Sequence, residues 1–427
     1  MTWLYNILLF LLAPLWMPWM WWRANKRAEK VDWSQRAGRY KHVGKKDKGA
    51  KRIWFHAVSV GEVVAASPIL REIIAKNPDV EIVLSVTTSS GHQTAREKFE
   101  DAFDHLIYFP IDVPRYVLNA LVKIKPDVVV LMETELWLNF LEMSKNFGAN
   151  TLVVNGRISD RAFGRMEKFK PFYQAIFRNV DRALMQSETD ADRARQLGSD
   201  KAEVMGNCKF DEAASVMGVS GAEWREKLGI EADEFVIVVG STRGEMEEKF
   251  VLDALKSSEG SWDRVVHAPR HLERVDALAG QVTERFGSVS RRSKEETGKY
   301  LLLDTYGELA QVYAVADLVV IGGGFDDLGG QNILQPLAHG KPVIHGPNMH
   351  NFRDVAELAA RCGATQVAST PEELASAMTS LGKNDEKRSE MGSAARQLIE
   401  QSLGASERYA DAVLDAVQSA EFGSGRK

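Results

Sequence analysis

What most limits the fold of this chain is an alternation. Short runs of β-branched and aliphatic residues are each followed by a stretch with helical periodicity. In the first half the runs are Ile53–Val58, Glu81–Thr87, Leu106–Pro110, Val128–Met132, Thr151–Asn155 and Ala183–Gln186. In the second they are Phe235–Ser241, Arg264–Ala268, Tyr300–Asp304, Leu318–Gly322, Pro342–His345 and Ala364–Val367. Helical stretches such as Ala65–Ala75, Gln93–Phe99, Arg115–Ile124 and Leu136–Phe147 lie between the first runs. Strands alternating with helices predict parallel sheets. Each half holds roughly 150–190 residues, enough for one doubly wound sheet. The 427 residues therefore read as two α/β domains, 53–212 and 213–420. Their junction falls between Gly206 and Asp233, where strand signals lapse.

Charge divides the chain differently. Residues 1–22 carry no charged side chain, and Ile7 to Trp22 is unbroken by polar residues. Residues 23–52 then hold twelve Lys/Arg against three acids, a net +9. The whole chain is −5, so the remaining 375 residues carry −14. The apolar head is long enough to approach the ~20 residues that cross a bilayer. A signal peptide wants cations before its apolar run and small residues after it. Here the cations follow, and Trp19, Met20, Trp21 and Trp22 stand where small residues should be. The head is therefore expected to be a membrane anchor, 1–22, either spanning or, through Pro14 and Pro18, lying shallowly in the interface. The basic segment 23–52 predicts that the body lies on the cytoplasmic side, held to anionic lipid by about 1 kcal/mol per cation near the surface. A solvated linker is the alternative. The acidic balance, with a pI near 6.1, argues against a broad nucleic-acid surface. Two cysteines, Cys208 and Cys362, without a CxxC exclude a disulfide scaffold and a thiolate zinc site.

Doubly wound sheets bind ligands at the carboxyl ends of their strands, and polar and glycine residues gather there. Ser59 and Gly61 form a turn into a helix whose first turn carries Glu62. That carboxylate is either a capping partner of the helix or a general base. His56, inside a strand run, reads as a core histidine. Thr87, Thr88, Ser89, Ser90 and Gly91 can cap a helix or hold an anion. Glu133 and Glu135 follow the fourth run, Asn155-Gly156-Arg157 the fifth, and Lys209 closes the first half. The second half offers Ser241-Thr242, Pro269-Arg270-His271, Tyr306-Gly307-Glu308, Gly322-Gly323-Gly324 and Gly329-Gly330-Gln331-Asn332. Arg270 can fork onto an anion, and glycines let backbone approach a phosphate. No P-loop, GxGxxG in its required context or HExxH is present, so a nicotinamide enzyme or ATPase is unsupported.

Taken in order, His56-Ala-Val-Ser-Val-Gly-Glu62, Glu133-Thr-Glu-Leu-Trp137, Asn155-Gly-Arg157, Lys209-Phe-Asp211, Gly240-Ser-Thr242, Pro269-Arg-His271, Gly307-Glu-Leu309 and Gly329-Gly-Gln-Asn332 resemble the 3-deoxy-D-manno-octulosonic acid (Kdo) transferase family. The resemblance runs from the apolar head to about residue 410. It implies a GT-B architecture, two Rossmann-like domains facing a central cleft, with an N-terminal anchor helix. It implies CMP-Kdo as donor and the lipid A precursor, lipid IVA, as acceptor, in lipopolysaccharide synthesis at the inner membrane of a Gram-negative cell. No metal or cofactor beyond this co-substrate is implied. By the same resemblance Glu62 is the catalytic base, and Glu133 and Lys209 support the transition state. Ser241, Thr242, Pro269, Arg270, Tyr306, Gly307, Glu308, Asn332, Ile333, Leu334 and Gln335 fall on the donor side. Ser59, Gly61, Ser89, Ser90, Gly91 and Arg157 fall on the acceptor side. Three positions depart from the family pattern: Gln335 stands for the usual Glu, Gln331 for a His, and Leu138 for a Pro. With one base and a good leaving group, the analogy with inverting glycosidases predicts inversion. The rival readings are a UDP-sugar transferase of the same fold, a non-catalytic tether and a nucleotide-sugar epimerase.

Overall fold

A computed structural model describes residues 1–26 and 32–420. The chain divides into two compact units, one from Met1 to Glu212 plus the chain from Gly404, the other from Ala213 to Leu403.

The first unit is built on seven strands: β1 Lys51–Ala57, β2 Val80–Val86, β3 His105–Tyr108, β4 Val128–Met132, β5 Asn150–Gly156, β6 Arg182–Met185 and β7 Ala202–Val204. They are all parallel, in the order β3-β2-β1-β4-β5-β6-β7, with the reversal between β1 and β4. Side chains alternate across β1, so the two faces receive different residues. Ile53, Phe55 and Ala57 enter one apolar cluster. Trp54 enters the other, its ring 4.7 Å from Phe140 and 6.3 Å from Phe109. Arg52 is fully buried at the start of β1, forked onto Glu81 at 2.8 and 2.7 Å and donating to the Ile124 carbonyl at 2.6 Å. A buried guanidinium persists only where its donors are matched in this way.

The helix Ala405–Ser419 corrects the expected domain 213–420. It belongs to the first unit, where Tyr409, Ala410, Val413 and Val417 complete the cluster under Ile53 and Phe55. Those positions recur at helical spacing and form one apolar face. Asp211 holds the start of that helix, accepting from the Gly404 and Ser406 amides at 2.7 Å each. The Tyr409 hydroxyl donates to the Gly206 carbonyl at 2.7 Å. Strand content alone marks the second domain, so a helix with no strand after it gives no sign of which sheet it covers.

The second unit has β8 Val236–Thr242, β9 Arg264–Pro269, β10 Ser290–Arg291, β11 Tyr300–Leu302, β12 Leu318–Ile321, β13 Val343–His345 and β14 Thr365–Val367. They too are all parallel, ordered β10-β11-β9-β8-β12-β13-β14. The short edge strands β7 and β10 are absent from the expected set, because two or three residues carry no readable pattern.

The apolar head is two helices, Thr2–Leu11 and Ala13–Lys26, bent by 67°, not the single anchor helix expected. No single helix among the described residues is long and apolar enough to cross a membrane; the bent pair together meets that measure by length and composition alone. The break precedes Pro14, whose ring has no N–H to donate and clashes with the carbonyl four residues back. Thr2, Tyr5 and Asn6 turn to the first unit. The Tyr5 hydroxyl donates to Asp112 at 3.1 Å, Asn6 and Asn139 exchange side-chain bonds at 3.0 and 2.8 Å, and Thr2 bonds Glu142. Trp3, Phe10, Leu11, Leu15, Trp21 and Trp22 stay exposed. The basic segment is not uniformly free. Arg36 donates to the Phe109 and Thr87 carbonyls, Lys46 pairs with Asp127, Lys51 donates to the Ala420 carbonyl, and Arg52 is buried. Arg39, Lys41, Lys45 and Lys48 are exposed, and Arg27, Glu29 and Lys30 lie outside the described residues.

Replacing Tyr409 with Ala opens a cavity beneath β1 and strands the Gly206 carbonyl. We expect about 3–5 kcal/mol of destabilisation in the first unit, read as a lower urea midpoint and earlier proteolysis there. An unchanged midpoint would show that the C-terminal helix is dispensable to that core.

Candidate active site

In the first unit the backbone leaves β1 at Ala57 and enters the helix Val60–Lys76, with Ser59 at its N-cap. Glu62 folds back: one carboxylate oxygen accepts the Val58 amide at 2.8 Å and the other the Ser59 hydroxyl at 3.2 Å. The expected capping box is not formed: the amide held is that of Val58, one residue before the Ser59 N-cap, and Ser59 makes no side-chain cap bond. Burial, then the charges of Glu133 and Glu135, raise the Glu62 pKa from the ordinary 4.5 to about 7. A carboxyl poised near neutrality is a group able to take a proton under working conditions.

The next turn closes on the first. Thr88 caps the helix Ser89–Lys98, accepting the Gly91 amide at 3.1 Å and donating to the Val58 carbonyl at 3.1 Å. A Cβ at Gly91 would lie 2.8 Å from Val86 Cγ1 and 3.2 Å from the Ser59 carbonyl carbon, so only glycine allows the two turns to touch. Ser89 and Ser90 stand in that helix's first turn.

Beyond β4, Glu133 adopts φ +53°, a left-handed conformation that costs a non-glycine residue free energy. Its carboxylate pairs with Lys209 at 3.3 Å. Asn155, also left-handed at φ +51°, accepts the Cys208 amide at 3.2 Å and so fixes the Lys209 turn to β5. The Arg157 carbonyl accepts the Thr134 hydroxyl at 2.6 Å. Glu135, legible as half of a Glu-Thr-Glu pair but not chosen as a site residue, joins the cluster. Burial and Glu133 raise its pKa. His56 is the core residue expected, stacked on Phe109 at 3.8 Å, bonded to Ser85 and pushed down to about 3 by burial. Glu62, Glu133, Glu135 and Lys209 thus share one set of strand ends.

In the second unit Ser241 is left-handed at φ +61°, at an irregularity between β8 and β9. Thr242 corrects an expectation. It is buried, and its hydroxyl meets His267 Nε2 at 2.8 Å, while His267 Nδ1 meets the Tyr300 hydroxyl at 2.7 Å. Its side chain is engaged internally and offers a ligand nothing. The Ile333 and Leu334 side chains are likewise buried, so those positions can present only backbone. Pro269 is buried at the end of β9, and the Arg270 amide donates to the Thr242 carbonyl at 2.9 Å with its guanidinium exposed. Tyr306 is 81% exposed, and Gly307 follows with φ +87°. Burial pushes the Glu308 carboxyl up, but the Thr305 hydroxyl and Arg292 outweigh it and hold it low. Asn332 caps the Leu334 amide at 2.9 Å, and Gln335 is half-buried in the helix Leu334–Ala338.

Glu247 was missed. It is buried in the first turn of the helix Glu245–Ser257 and accepts the Arg243 amide at 2.6 Å, the Gly323 amide at 2.6 Å and the Phe325 amide at 3.3 Å. It ties the β8 turn to the glycine loop after β12. A Cβ at Gly322 in that loop would lie 2.6 Å from Thr242 Cα. The signal was there, an acid at the third helical position as at Glu62, but it was hidden in the run Glu245-Met-Glu-Glu248. Among the described residues no group of three or more His, Cys, Asp and Glu side chains is arranged to hold a metal.

Residues 31–212 match the family model described as 3-deoxy-D-manno-octulosonic-acid transferase (kdotransferase). The chain is 30% identical over 427 residues to the 3-deoxy-D-manno-octulosonic acid transferase of Bordetella pertussis, covering 96% of this chain and 98% of that one. It is 32% identical over 317 residues to the enzyme of the same name from Chlamydophila psittaci, covering 73% of each. Among solved structures it resembles a UDP-GlcNAc 2-epimerase from Neisseria meningitidis with a TM-score of 0.60 at 12% identity, covering 86% of this chain and 99% of that one. At that identity the likeness is one of fold.

The raised Glu62 pKa has a signed consequence for stability. Above about pH 4.5 the unfolded chain releases this proton, while the folded state keeps it until about pH 7. The folded state binds more protons in that window, so stability falls as pH rises through it. Glu62→Gln removes this dependence. We expect the melting temperature of the variant to gain on wild type between about pH 5 and pH 8; parallel curves would show that the carboxyl is not raised.

Proposed function

Because the chain belongs to the 3-deoxy-D-manno-octulosonic acid transferase family, and so is a glycosyltransferase with the GT-B fold, we propose that it transfers Kdo from CMP-Kdo to the lipid A precursor during lipopolysaccharide synthesis. The observation that carries this reading is Glu62, a carboxyl raised to about 7 beside the Glu133–Lys209 pair.

In the reaction, an acceptor hydroxyl attacks the anomeric carbon of Kdo, the carbon–oxygen bond to CMP breaks, and the sugar inverts. Glu62 takes the hydroxyl proton as the new bond forms. The Val58 and Ser59 donors keep its carboxylate oriented. CMP departs with more negative charge than the diester carried, and Arg270 and Lys209 are the cations suited to stabilise it. Lys209 is already neutralised in part by Glu133, so its charge is tempered until the leaving phosphate competes for it. On the donor side Ser241, Arg270, Tyr306, Gly307, Asn332 and Gln335 remain available, and Thr242, Ile333 and Leu334 contribute backbone alone. Ser59, Gly61, Ser89, Ser90, Gly91 and Arg157 are the acceptor-side candidates.

The bent apolar pair is read as the anchor, seated in the inner leaflet with the catalytic units on the cytoplasmic side. Its exposed Trp3, Trp19, Trp21 and Trp22 suit an interfacial belt. Such seating makes the search for a lipid acceptor two-dimensional.

Incubated with CMP-Kdo and tetra-acylated lipid A precursor, the purified protein should add the mass of Kdo to the lipid. No gain, where a known family member succeeds, or consumption of a UDP-sugar instead, would overturn the reading. Glu62→Gln should lower transfer by roughly 10²–10⁴-fold while CMP binding persists. The wild-type rate should fall as pH drops below about 7, where Glu62 is protonated. Gln335→Glu should tighten donor binding, because a charged acceptor makes a hydrogen bond about twice as strong; unchanged KM for CMP-Kdo would mark the glutamine as neutral.

A further inference from the structure

The helix Asp160–Lys168 meets the helix Lys170–Phe177 at Phe169, whose ring is 66% exposed. Arg161 and Arg165 in the preceding helix, and Lys168 and Lys170 on either side of Phe169 in the chain, are all exposed, and none makes a side-chain hydrogen bond or ion pair among the described residues. Of the nearby acids, Asp160 is paired with Arg193 and Glu167 is exposed. Among the described residues the corner therefore carries four exposed, unpaired cations against one exposed, unpaired acid, beside an exposed aromatic residue.

Its position is fixed relative to the apolar helix pair. The Phe172 amide donates to the Phe169 carbonyl at 2.9 Å, and the Phe172 ring lies 5.6 Å from that of Tyr5 in the first helix. The corner is thus tied, through Phe172 and Tyr5, to the first helix of the apolar pair. Four cations of the basic segment, Arg36, Lys46, Lys51 and Arg52, are meanwhile committed to internal partners. One exposed phenylalanine alone would mean little. An exposed ring flanked by unpaired cations, beside an apolar helix pair, matches what a membrane interface selects.

We propose that this corner is a second lipid-contact point: Phe169 enters the boundary between headgroups and acyl chains, and Arg161, Arg165, Lys168 and Lys170 bind the phosphates of anionic headgroups. The proposal rests on reading the bent helix pair as membrane-seated. It adds a charge-selective contact on the folded unit itself, so that lipid composition and orientation are sensed away from the anchor.

The test is co-sedimentation of the full chain with vesicles of phosphatidylcholine alone or with about one-third phosphatidylglycerol. The variant R161Q/R165Q/K168Q should lose ~10- to 100-fold in affinity for the anionic vesicles and nothing for the neutral ones. F169S should weaken both, and R161K/R165K should bind as wild type. All three should melt with wild type, since the replaced side chains are exposed. If R161Q/R165Q/K168Q binds anionic vesicles as wild type does, the corner is not a lipid contact, whereas the anchor reading stands. If wild type binds neither vesicle, the membrane reading itself fails. Loss of binding by R161K/R165K equal to that of the glutamine variant would also overturn the proposal, since charge would not be what is read.

Discussion

Both units depend on the same small arrangement: a glutamate in the first turn of the helix after the central strand, reaching back to the main-chain amide just before the helix. Glu62 does this to Val58 and Glu247 to Arg243. Each bond satisfies the amide two residues ahead of its helix and ties the end of the strand to the helix's first turn. What differs is the remainder of each carboxylate. Glu247 spends it on the Gly323 and Phe325 amides, so it is a structural tie between two loops. Glu62 meets only the Ser59 hydroxyl and faces the charges of Glu133 and Glu135. One motif, used twice, becomes a rivet in one unit and holds a carboxyl raised to about 7 in the other.

The strand ends of the first unit show how the surroundings of that carboxyl are held. Glu133 and Asn155 adopt left-handed backbone at the ends of β4 and β5, as Ser241 does separately at the end of β8 in the second unit. Non-glycine residues take this conformation only where surrounding bonds impose it. At Glu133 the restraint is the amide bond to the Val154 carbonyl, and at Asn155 it is the bond from the Cys208 amide. The result is that Glu133 and Lys209, separated by 76 positions in the chain, meet at 3.3 Å.

Much of this was legible in the sequence, and for physical reasons. Parallel strands buried between helix layers leave long aliphatic runs, so twelve of the strands and the reversal of chain direction at their ends could be read directly. Polar residues gather at those ends, partly to cap the helices that follow, and Glu62, Glu133, Lys209 and Arg270 stood out among them. Illegible features depended on distant partners. Thr242 resembles a ligand group until His267, 25 positions away and itself held by Tyr300, is seen to occupy its hydroxyl. Glu247 gives no sign in the sequence because two of the amides it binds come from a loop 76 and 78 positions away. The basic segment looked uniform because sequence does not tell that Arg52 is inside the sheet and Arg39 outside it.

The return of the last helix to the first unit bears on how the protein is made. Tyr409, Val413 and Val417 close a core whose strands were all synthesised before residue 205. The second unit, contained between Ala213 and Leu403, has its whole sequence available while that face of the first is still bare. Domains fold as their sequence leaves the ribosome, so here the unit synthesised first is completed last. Until the helix Ala405–Ser419 emerges, the face of β1 that carries Ile53 and Phe55 stays bare, and the arrival of that helix is the event that covers it.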